Sequence, residues 1–339
     1  MKKTFLTGII LLICCITLSA QKKDDFKPEV KVGGVIFTGW EFNIDNAEFI
    51  SRLDTNQPNP NVPFGFNPAK NQFEESKNSF YLERTYINIR ASLSPQVNAR
   101  ITPDIFSFTD GNGRTQYSLN FKYAFVNYVP LQTKSGLSLG FTVGIIPNNW
   151  INTNDRYWGY RGFAKSLSDF SWTASAVRNG ANVNRTTVSY FSSADLGMDV
   201  MLSAPNGFAE LNVEVLNGNG FRNLSFDNRF KDLLATAFIH PLAVQIKKRT
   251  ESYKKSGKER LDGITDLTFG GFGYLGKLDK GENYSVGAEY KRNRFGGMLH
   301  FKYNFKKYGS FKIGGEYSVQ SNEDPAAAPE NIQKIKASG

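Results

Sequence analysis

Residues 80–101 read FYLERTYINIRASLSPQVNARI, and the side chains of this stretch alternate with a period of two. In the first arm Ile87 and Ile89 belong to a largely apolar face, while Arg84 lies on a polar and charged face. A period of two is typical of a β-strand, because a helix repeats about every 3.6 residues. After Pro95 the alternation resumes, so the stretch predicts an antiparallel hairpin with the proline in its turn.

A hairpin with one apolar face and one arginine-bearing face fits two settings. In the first, the apolar face covers a soluble β core and the arginines meet water. In the second, the apolar face meets lipid and the arginines line a water-filled lumen. The rest of the chain decides between them.

The first twenty residues predict a cleaved export signal. Lys2 and Lys3 give a basic start, residues 6–18 are an apolar run, and Leu18-Ser19-Ala20 offers a cleavage site. This pattern is too short and wrongly flanked for a spanning helix. Lipidation is disfavoured, because no small residue precedes either cysteine.

Both cysteines of the 339-residue chain, Cys14 and Cys15, fall inside the export signal. The mature chain therefore relies on no disulfide and no thiolate site. Its basic excess falls from +10 to +8 without Lys2 and Lys3. Such an excess favours small anions or acidic surfaces, and export argues against nucleic acid as a partner. No mature segment approaches the ~20 consecutive apolar residues of a spanning helix.

Alternating segments recur along the chain and predict about twelve strands of roughly ten residues each. Beyond the two arms of the opening hairpin, the predicted strands are 30–44, 116–129, 137–145, 195–202, 210–215, 230–242, 266–275, 284–292, 296–305 and 310–319. Long loops are expected at 45–78 and 148–185, tight turns at the opposite ends of the hairpins, and a solvated charged turn at 247–259. This asymmetry is typical of a barrel with external loops and periplasmic turns.

The predicted fold class is therefore all-β, an antiparallel transmembrane β-barrel. Residues 21–29 form a periplasmic lead, 30–319 the barrel with a constriction loop at 148–185, and 320–339 a tail or incomplete loop. Two interpretations of closure remain open. Strand 310–319 pairs with strand 30–44 in a twelve-stranded barrel, or the chain is a truncated barrel of about sixteen strands.

Motifs for catalysis and cofactors are weak. The glycines of GFGYLG at 271–276 sit inside an alternating strand and lack the following helix that a dinucleotide fingerprint needs. His240 and His300 are the only histidines, which is too few for a metal cluster in a chain without mature cysteines. We therefore expect no enzyme activity, no cofactor and no metal.

Charged side chains on the polar face are the candidate functional residues. The expected lumen charges are basic on early strands and acidic on later ones: Arg84, Arg90, Arg100, Lys122, Asp195, Asp199, Glu210 and Glu214. Two interpretations of these charges are equally favoured. The charges select among solutes, or they only solvate a water-filled interior. The expected pore constriction combines cations and aromatics in the loop: Arg156, Trp158, Tyr160, Arg161 and Lys165.

Several short segments resemble the phosphate-selective porin O and P family of outer-membrane porins. They are YINIR at 86–90, FKYAFV at 121–126, GIIP at 144–147, WGYR at 158–161, SADLG at 193–197 and VLNG at 215–218. The resemblance implies a barrel usually of about sixteen strands, often trimeric, with a third external loop folded into the lumen. Residues 148–185 fit that loop. Phosphate selectivity in the family depends on lumen arginine ladders and a lysine cluster, and this chain shows neither as a dense array.

The sequence thus predicts an outer-membrane porin of a Gram-negative bacterium, a water-filled channel for passive diffusion of ions and small hydrophilic solutes. A weak preference for anions is expected, with phosphate left open. Its expected partners are outer-membrane lipid, lipopolysaccharide and the solutes, with a homotrimer implied by the resemblance. The alternative is a non-conducting surface β-barrel or exported β protein used for adhesion.

Overall fold

A computed structural model describes most of the chain after the predicted signal. The described residues are 26–42, 66–67, 72–73, 78–109, 115–159, 166–169, 171–178, 181–189, 191–222, 230–256, 262–279, 289–305, 308–322 and 333–338.

Strands dominate the described residues. In chain order they are β1 (Glu29–Phe42), β2 (Phe66–Asn67), β3 (Gln72–Phe73), β4 (Asn78–Ser92), β5 (Val97–Thr109), β6 (Thr115–Gln132), β7 (Ser138–Pro147), β8 (Ser171–Arg178), β9 (Ala181–Ser189), β10 (Ala194–Ser203), β11 (Ala209–Leu216), β12 (Asp232–Ile239), β13 (Gly263–Asp279), β14 (Glu289–Phe305), β15 (Gly309–Asn322) and β16 (Gln333–Ser338). The helices are α1 (Asn149–Trp158) and α2 (Ala243–Lys255), and short 3-10 turns occupy Leu167–Asp169 and Pro205–Gly207. In this part of the chain, neither helix has the length and apolar character needed to cross a membrane.

The protein is all-β and is built on one antiparallel sheet of 12 strands. Its order is β1-β4-β5-β6-β7-β10-β11-β12-β13-β14-β15-β16, so successive strands of the chain are neighbours in the sheet. The order skips only two short hairpins, β2–β3 and β8–β9, each of which forms a sheet of its own. This up-and-down order confirms the predicted all-β, antiparallel class.

Contacts divide the chain into two compact units. The first, unit 1, comprises Met1–Gly33, Asn88–Pro103 and Asn120–Gly339. The second, unit 2, comprises Gly34–Ile87 and Asp104–Leu119.

The strands of unit 1 have a covered face and an exposed face. In β12 the covered side chains are Asp232, Leu234, Thr236 and Phe238, all at most 1% exposed, whereas Leu233 between them is 39% exposed. Alternate residues of a strand point to opposite faces of the sheet, which accounts for this pattern.

Unit 2 contains an ion pair and an aromatic contact on neighbouring strands. The Arg84 Nε lies 3.1 Å from Asp104 Oδ1, and the Asp104 side chain is fully buried. The ring of Tyr86, also buried, meets the ring of Phe37 edge-on with centroids 5.8 Å apart.

One pair of predicted strands is wrong. Strands were expected at 284–292 and 296–305, but residues 289–305 form the single strand β14, paired continuously with β13 apart from one register shift near Ile264. The glycine at 296 is a strand interior residue that makes room for a neighbour, since a Cβ there would lie 2.4 Å from the Phe272 ring. The five residues 284–288 lie outside the described part.

Two further expectations need correction. Residues 243–255 fold as α2, where a solvated turn at 247–259 was expected, and α2 starts within a few residues of Pro241. The expected tail at 320–339 contains the end of β15 and the whole of β16, which pairs with β15 from Tyr317 to Asn322. In the described residues β15 pairs with β14 and β16, and β1 stands at the other end of the strand order.

Candidate functional site: a helix and a charged cavity on the covered face

Helix α1 begins and ends with local sequence signals. The side chain of Asn148 caps the helix by accepting a hydrogen bond of 3.1 Å from the backbone N–H of Ile151. Gly159 ends it with φ of 69°, a left-handed conformation that suits glycine, and donates its N–H to the Asp155 carbonyl at 2.9 Å. These two caps limit the helix to 10 residues, a length of about 15 Å.

The first turn of α1 lies on a pair of carboxylates. Asp199 and Glu214 are directly opposite each other on β10 and β11, and both are buried. Like charges in such a pair repel each other. The backbone N–H of Asn149 donates to Glu214 Oε1 at 2.9 Å, and the Asn149 side chain bonds to Asp199. The helix N-terminus therefore supplies hydrogen-bond donors to both buried carboxyl groups, and its positive end disfavours their repulsion.

Trp150 fixes the same end of α1 to the covered face. Its side chain is fully buried and stacks on Phe238 with ring centroids 5.7 Å apart and planes at 16°. The Phe272 ring lies 4.5 Å away in a tilted contact. The indole Nε1–H donates to Ser168 Oγ at 2.9 Å and to Glu316 Oε1 at 2.7 Å, and Ser168 also donates to Glu316. Burial of a tryptophan contributes about 4–6 kcal/mol by area.

The tryptophan belongs to a hydrophobic cluster on the covered face. Its buried members come from α1, the chain before β10 and five strands: Ile146, Trp150, Ile151, Phe191, Leu216, Leu234, Phe238, Phe272, Tyr274 and Met298. We call this set the aromatic cluster. It surrounds the N-terminal half of α1 with apolar atoms.

The other end of α1 reaches a polar network centred on Thr268. The Thr268 hydroxyl donates to Asp266 Oδ1 at 2.7 Å, which uses its one proton. It must therefore accept from Tyr157 at 2.9 Å and from His240 Nδ1 at 2.8 Å. The proton of neutral His240 consequently lies on Nδ1, and Nε2 is left as an acceptor.

A stacked ring pair forms one wall beside this network. The Tyr157 and His300 rings lie 4.4 Å apart with planes at 24°. Burial raises the pKa of Tyr157 above its ordinary value of 10.0, with the nearby carboxylates of Asp266 and Glu210 adding to the effect, while the Thr268 hydrogen bond and Arg156 oppose it. The phenol of Tyr157 is therefore a neutral donor across the physiological range.

Beneath Arg156 and Tyr157 lies a cavity of about 370 Å³, which we call the charged cavity. Its walls come from α1, the turn before β11, the start of α2, and strands β11, β13, β14 and β15, all within unit 1. Its charged lining residues carry both signs: Arg156, Lys302, Lys312, Glu210 and Asp266. His240 and His300 also line it. The volume lies in the range of small-molecule sites in proteins, about 300–1,000 Å³.

Two other buried carboxyl groups, Asp195 and Asp232, lie at the far end of the same strands. Asp195 Oδ2 accepts from the backbone N–H groups of Gly218 and Gly220 at 2.8 and 3.1 Å. Asp232 Oδ2 pairs with Arg292 at 2.6 Å and also accepts the Tyr274 hydroxyl. Asp195 and Asp232 therefore hold their bonded neighbours in place. The charged cavity lies at the opposite end of the strands.

The predicted constriction residues divide between described and undescribed parts of the chain. Arg156 and Trp158 lie in the last turn of α1, and both are exposed. Tyr160, Arg161 and Lys165 lie outside the described residues. The segment 148–185, expected as a loop, contains α1, one 3-10 turn, β8 and the start of β9.

The expected basic lumen charges occupy different environments. Lys122 is buried, and Arg90 is exposed. Arg100 donates to Asn88 at 2.7 Å and lies over the Tyr123 ring at 4.4 Å. Arg84 pairs with Asp104, as described for unit 2.

The expected acidic lumen charges lie on the covered face or in the cavity. Asp195, Asp199 and Glu214 are buried, and Glu210 lines the charged cavity.

Sequence reasoning did not identify most residues that build this site. Trp150, Tyr157 and Thr268 carry no motif, and Asp104 was not recognised as the partner of Arg84. A signal for α1 was present in Asn148 and Gly159, an N-cap and a C-cap at helical spacing. His240 and His300 were noted as the only histidines, but the sequence does not show that they share a cavity.

Across the described part of the chain, no group of three or more His, Cys, Asp or Glu side chains is arranged to hold a metal ion. Comparisons of the chain with models of protein families, with characterised proteins and with solved structures gave no match.

Proposed function

We propose that the chain is exported with residues 1–20 as its signal and forms an outer-membrane β-barrel channel. Small hydrophilic solutes diffuse through it, and α1 narrows the passage. Cations at the C-terminal end of α1 give the passage a weak preference for anions.

One observation carries the proposal, a row of apolar side chains on the exposed face of unit 1. Strand register places them directly opposite one another across six neighbouring strands: Val126, Val143, Met198, Val215, Leu233 and Leu275. Each is 38–56% exposed. We call this set the apolar row. Strands lie ~4.8 Å apart, so the row extends roughly 24 Å across the sheet.

The covered face carries buried polar side chains as well as apolar ones. Asp199 and Glu214, next to Met198 and Val215 in their strands, are buried with polar partners, as is Thr236 on β12. A water-soluble sheet buries its apolar face and exposes its polar face. Apolar side chains outside and polar side chains inside are typical of a transmembrane barrel. An apolar patch of this width is expected to meet lipid or a partner protein.

Helix α1 supports the channel role. It is fixed to the covered face by Trp150 at one end and Tyr157 at the other, so it occupies space that the lumen of a barrel would provide. The exposed Arg156 and the lining residues Lys302 and Lys312 supply positive charge at its C-terminal end. Fixed charge beside a narrow passage with low-dielectric walls sets ion preference.

The aromatic cluster favours a second candidate, a non-conducting surface barrel. Apolar side chains packed around Trp150 fill part of the covered face and exclude water there. If they also close the passage, the barrel serves adhesion or another surface role.

Conductance in planar bilayers separates the two candidates. The purified chain, refolded in detergent and checked by its β-rich circular dichroism, is added to a lipid bilayer under an applied voltage. A channel gives discrete current steps with a reversal potential that favours anions in a salt gradient. Folded protein that inserts without current steps would contradict the channel and favour the non-conducting barrel.

A further inference from the structure

We propose that the charged cavity binds a small organic zwitterion, a solute with a carboxylate and an ammonium group such as an amino acid. The inference rests on the proposed channel, because it names the solute class that this passage recognises. It is argued from the charges, the polar atoms and the size of the cavity.

In the described part of the structure, two cations of the cavity form no ion pair, although Asp266 lies directly opposite Lys302 in the strand register. Among the described residues, neither the Arg156 guanidinium nor the Lys302 ammonium makes an ion pair, although Arg156 lies 5.5 Å from the centroid of the Tyr157 ring. Lys302 is half-buried, and a charge partly removed from water is stabilised by an opposite charge. A carboxylate in the cavity would meet both cations.

One carboxylate of the cavity is equally without a partner. Within the described part of the chain Glu210 forms no hydrogen bond or ion pair, although it lines the same space as Arg156 and Lys302. A solute with only negative charge would leave Glu210 uncompensated and be repelled by it. A solute with an added ammonium group would satisfy Glu210, so the cavity favours a molecule that carries both signs.

His300 gives a second, independent indication of a ligand. Its side chain is 92% buried, it lines the cavity, and in the described structure neither ring nitrogen has a hydrogen-bond partner. Its Nδ1 lies 3.8 Å from Asp266 Oδ2, which is too far for a hydrogen bond. Unpaired buried polar atoms are costly, and a polar ligand group would satisfy one of these nitrogens. The acceptor Nε2 of His240 offers the ammonium group a further partner.

The shape of the cavity limits the ligand to a few carbons with a polar group at each end. A volume of about 370 Å³ is at the small end of ligand pockets. The stacked rings of Tyr157 and His300 provide a flat wall for the methylene groups between the charges.

Isothermal titration calorimetry with matched solutes tests the inference on the refolded protein in detergent. The probes are 3-aminopropanoate, 4-aminobutanoate and 6-aminohexanoate, each compared with its carboxylate-only and amine-only analogue of the same length. At least one zwitterion should bind tenfold or more tightly than both of its analogues. Equal binding of a zwitterion and its carboxylate-only analogue at every length, or binding of none of the probes, would overturn the inference.

Two variants test which cavity residue binds each charged group of the solute. Glu210→Gln should remove the preference over the carboxylate-only analogue, and Lys302→Met should remove the preference over the amine-only analogue. Lys134→Met, in the exposed turn before β7, is the matched control and should bind as the wild type does. Unchanged discrimination in both cavity variants would show that the solute binds elsewhere and would contradict the site.

The binding test and the conductance test can fail separately. Zwitterion binding by a protein that gives no current steps would overturn the channel and still support the ligand class. Current steps without discrimination among the solutes would support the channel and overturn the ligand class.

Discussion

The two ends of α1 lie in opposite environments. At the N-terminal end Trp150 is fully buried among aromatic rings, and the backbone N–H of Asn149 donates to the buried Glu214 carboxyl group. At the C-terminal end Arg156 and Trp158 are exposed, and Tyr157 joins a polar network beside the charged cavity. One end thus holds the helix in place, and the other presents charge and hydrogen-bonding groups to the charged cavity. Substitutions at the two ends should therefore differ in what they change, stability at the first and selectivity at the second.

The largest expected effect tests the anchoring end. Trp150→Ala should lower the free energy of unfolding by about 3–5 kcal/mol, because it leaves a cavity in the aromatic cluster and removes the indole donor from Ser168 and Glu316. Circular dichroism during guanidinium unfolding in detergent measures this loss. Trp158→Ala, the same change at a partly exposed position of the same helix, is the matched control and should cost clearly less, about 1–2 kcal/mol. Equal losses in the two variants would contradict the comparison.

A smaller effect is expected at the acceptor of the Trp150 indole. Glu316→Leu should cost about 1–3 kcal/mol, because the hydroxyl of Ser168 loses its carboxylate partner and the indole N–H loses one of two. Glu316→Gln keeps an acceptor oxygen in the same place and should retain most of the stability. The same unfolding measurement compares the two. If glutamine were as damaging as leucine, the negative charge rather than the hydrogen bond would be responsible.

At the polar end, Tyr157→Phe should cost about 1 kcal/mol, since it removes one neutral hydrogen bond and keeps the stacking on His300. The raised pKa of Tyr157 predicts the pH dependence of this loss. The folded state prefers the protonated phenol, so the contribution is fully present below the unfolded pKa of 10.0 and shrinks as pH rises above it. Unfolding free energies of both proteins on the two sides of that pH measure the difference. A loss that grew above the unfolded pKa would contradict the assignment.

The smallest effect in energy concerns selectivity. Arg156→Glu should lower the anion-to-cation permeability ratio a few-fold, which corresponds to less than about 1 kcal/mol. Reversal potentials in a salt gradient measure it, and unfolding free energy should hardly change. Lys134→Glu, at an exposed position that does not line the cavity, makes the same charge change as a control. An equal shift in both variants would place Arg156 outside the conduction path.

The alternating pattern predicts where most strands lie better than it predicts where each strand begins and ends. The expected number of about twelve agrees with the 12-stranded sheet only because two errors offset each other. The gap assumed at 293–295 lies inside β14, and β16 was expected as tail. Glycines such as Gly296 look like breaks in a sequence, whereas here they give space to a ring on the next strand.

The site is harder to predict because its contacts connect distant parts of the chain. Trp150 meets Glu316 across 166 positions, and Asn149 meets Glu214 across 65. Local periodicity carries no information about such pairs. The alternating pattern does place His300, Lys302 and Glu316 on one face of their strands. The fold then brings α1 against that face. The helix itself was missed because its apolar residues are few and its caps resemble loop residues.

Spin labels in the apolar row test the membrane barrel most directly. Cys14 and Cys15 lie in the predicted signal, so a single cysteine at position 198 or 215 gives residues 21–339 one thiol for labelling. In liposomes, labels replacing Met198 and Val215 should collide often with lipid-soluble oxygen and rarely with a water-soluble nickel complex. A label replacing Lys134 should show the reverse. Free access of the nickel complex to both positions of the apolar row would contradict the account, because that face would then meet water.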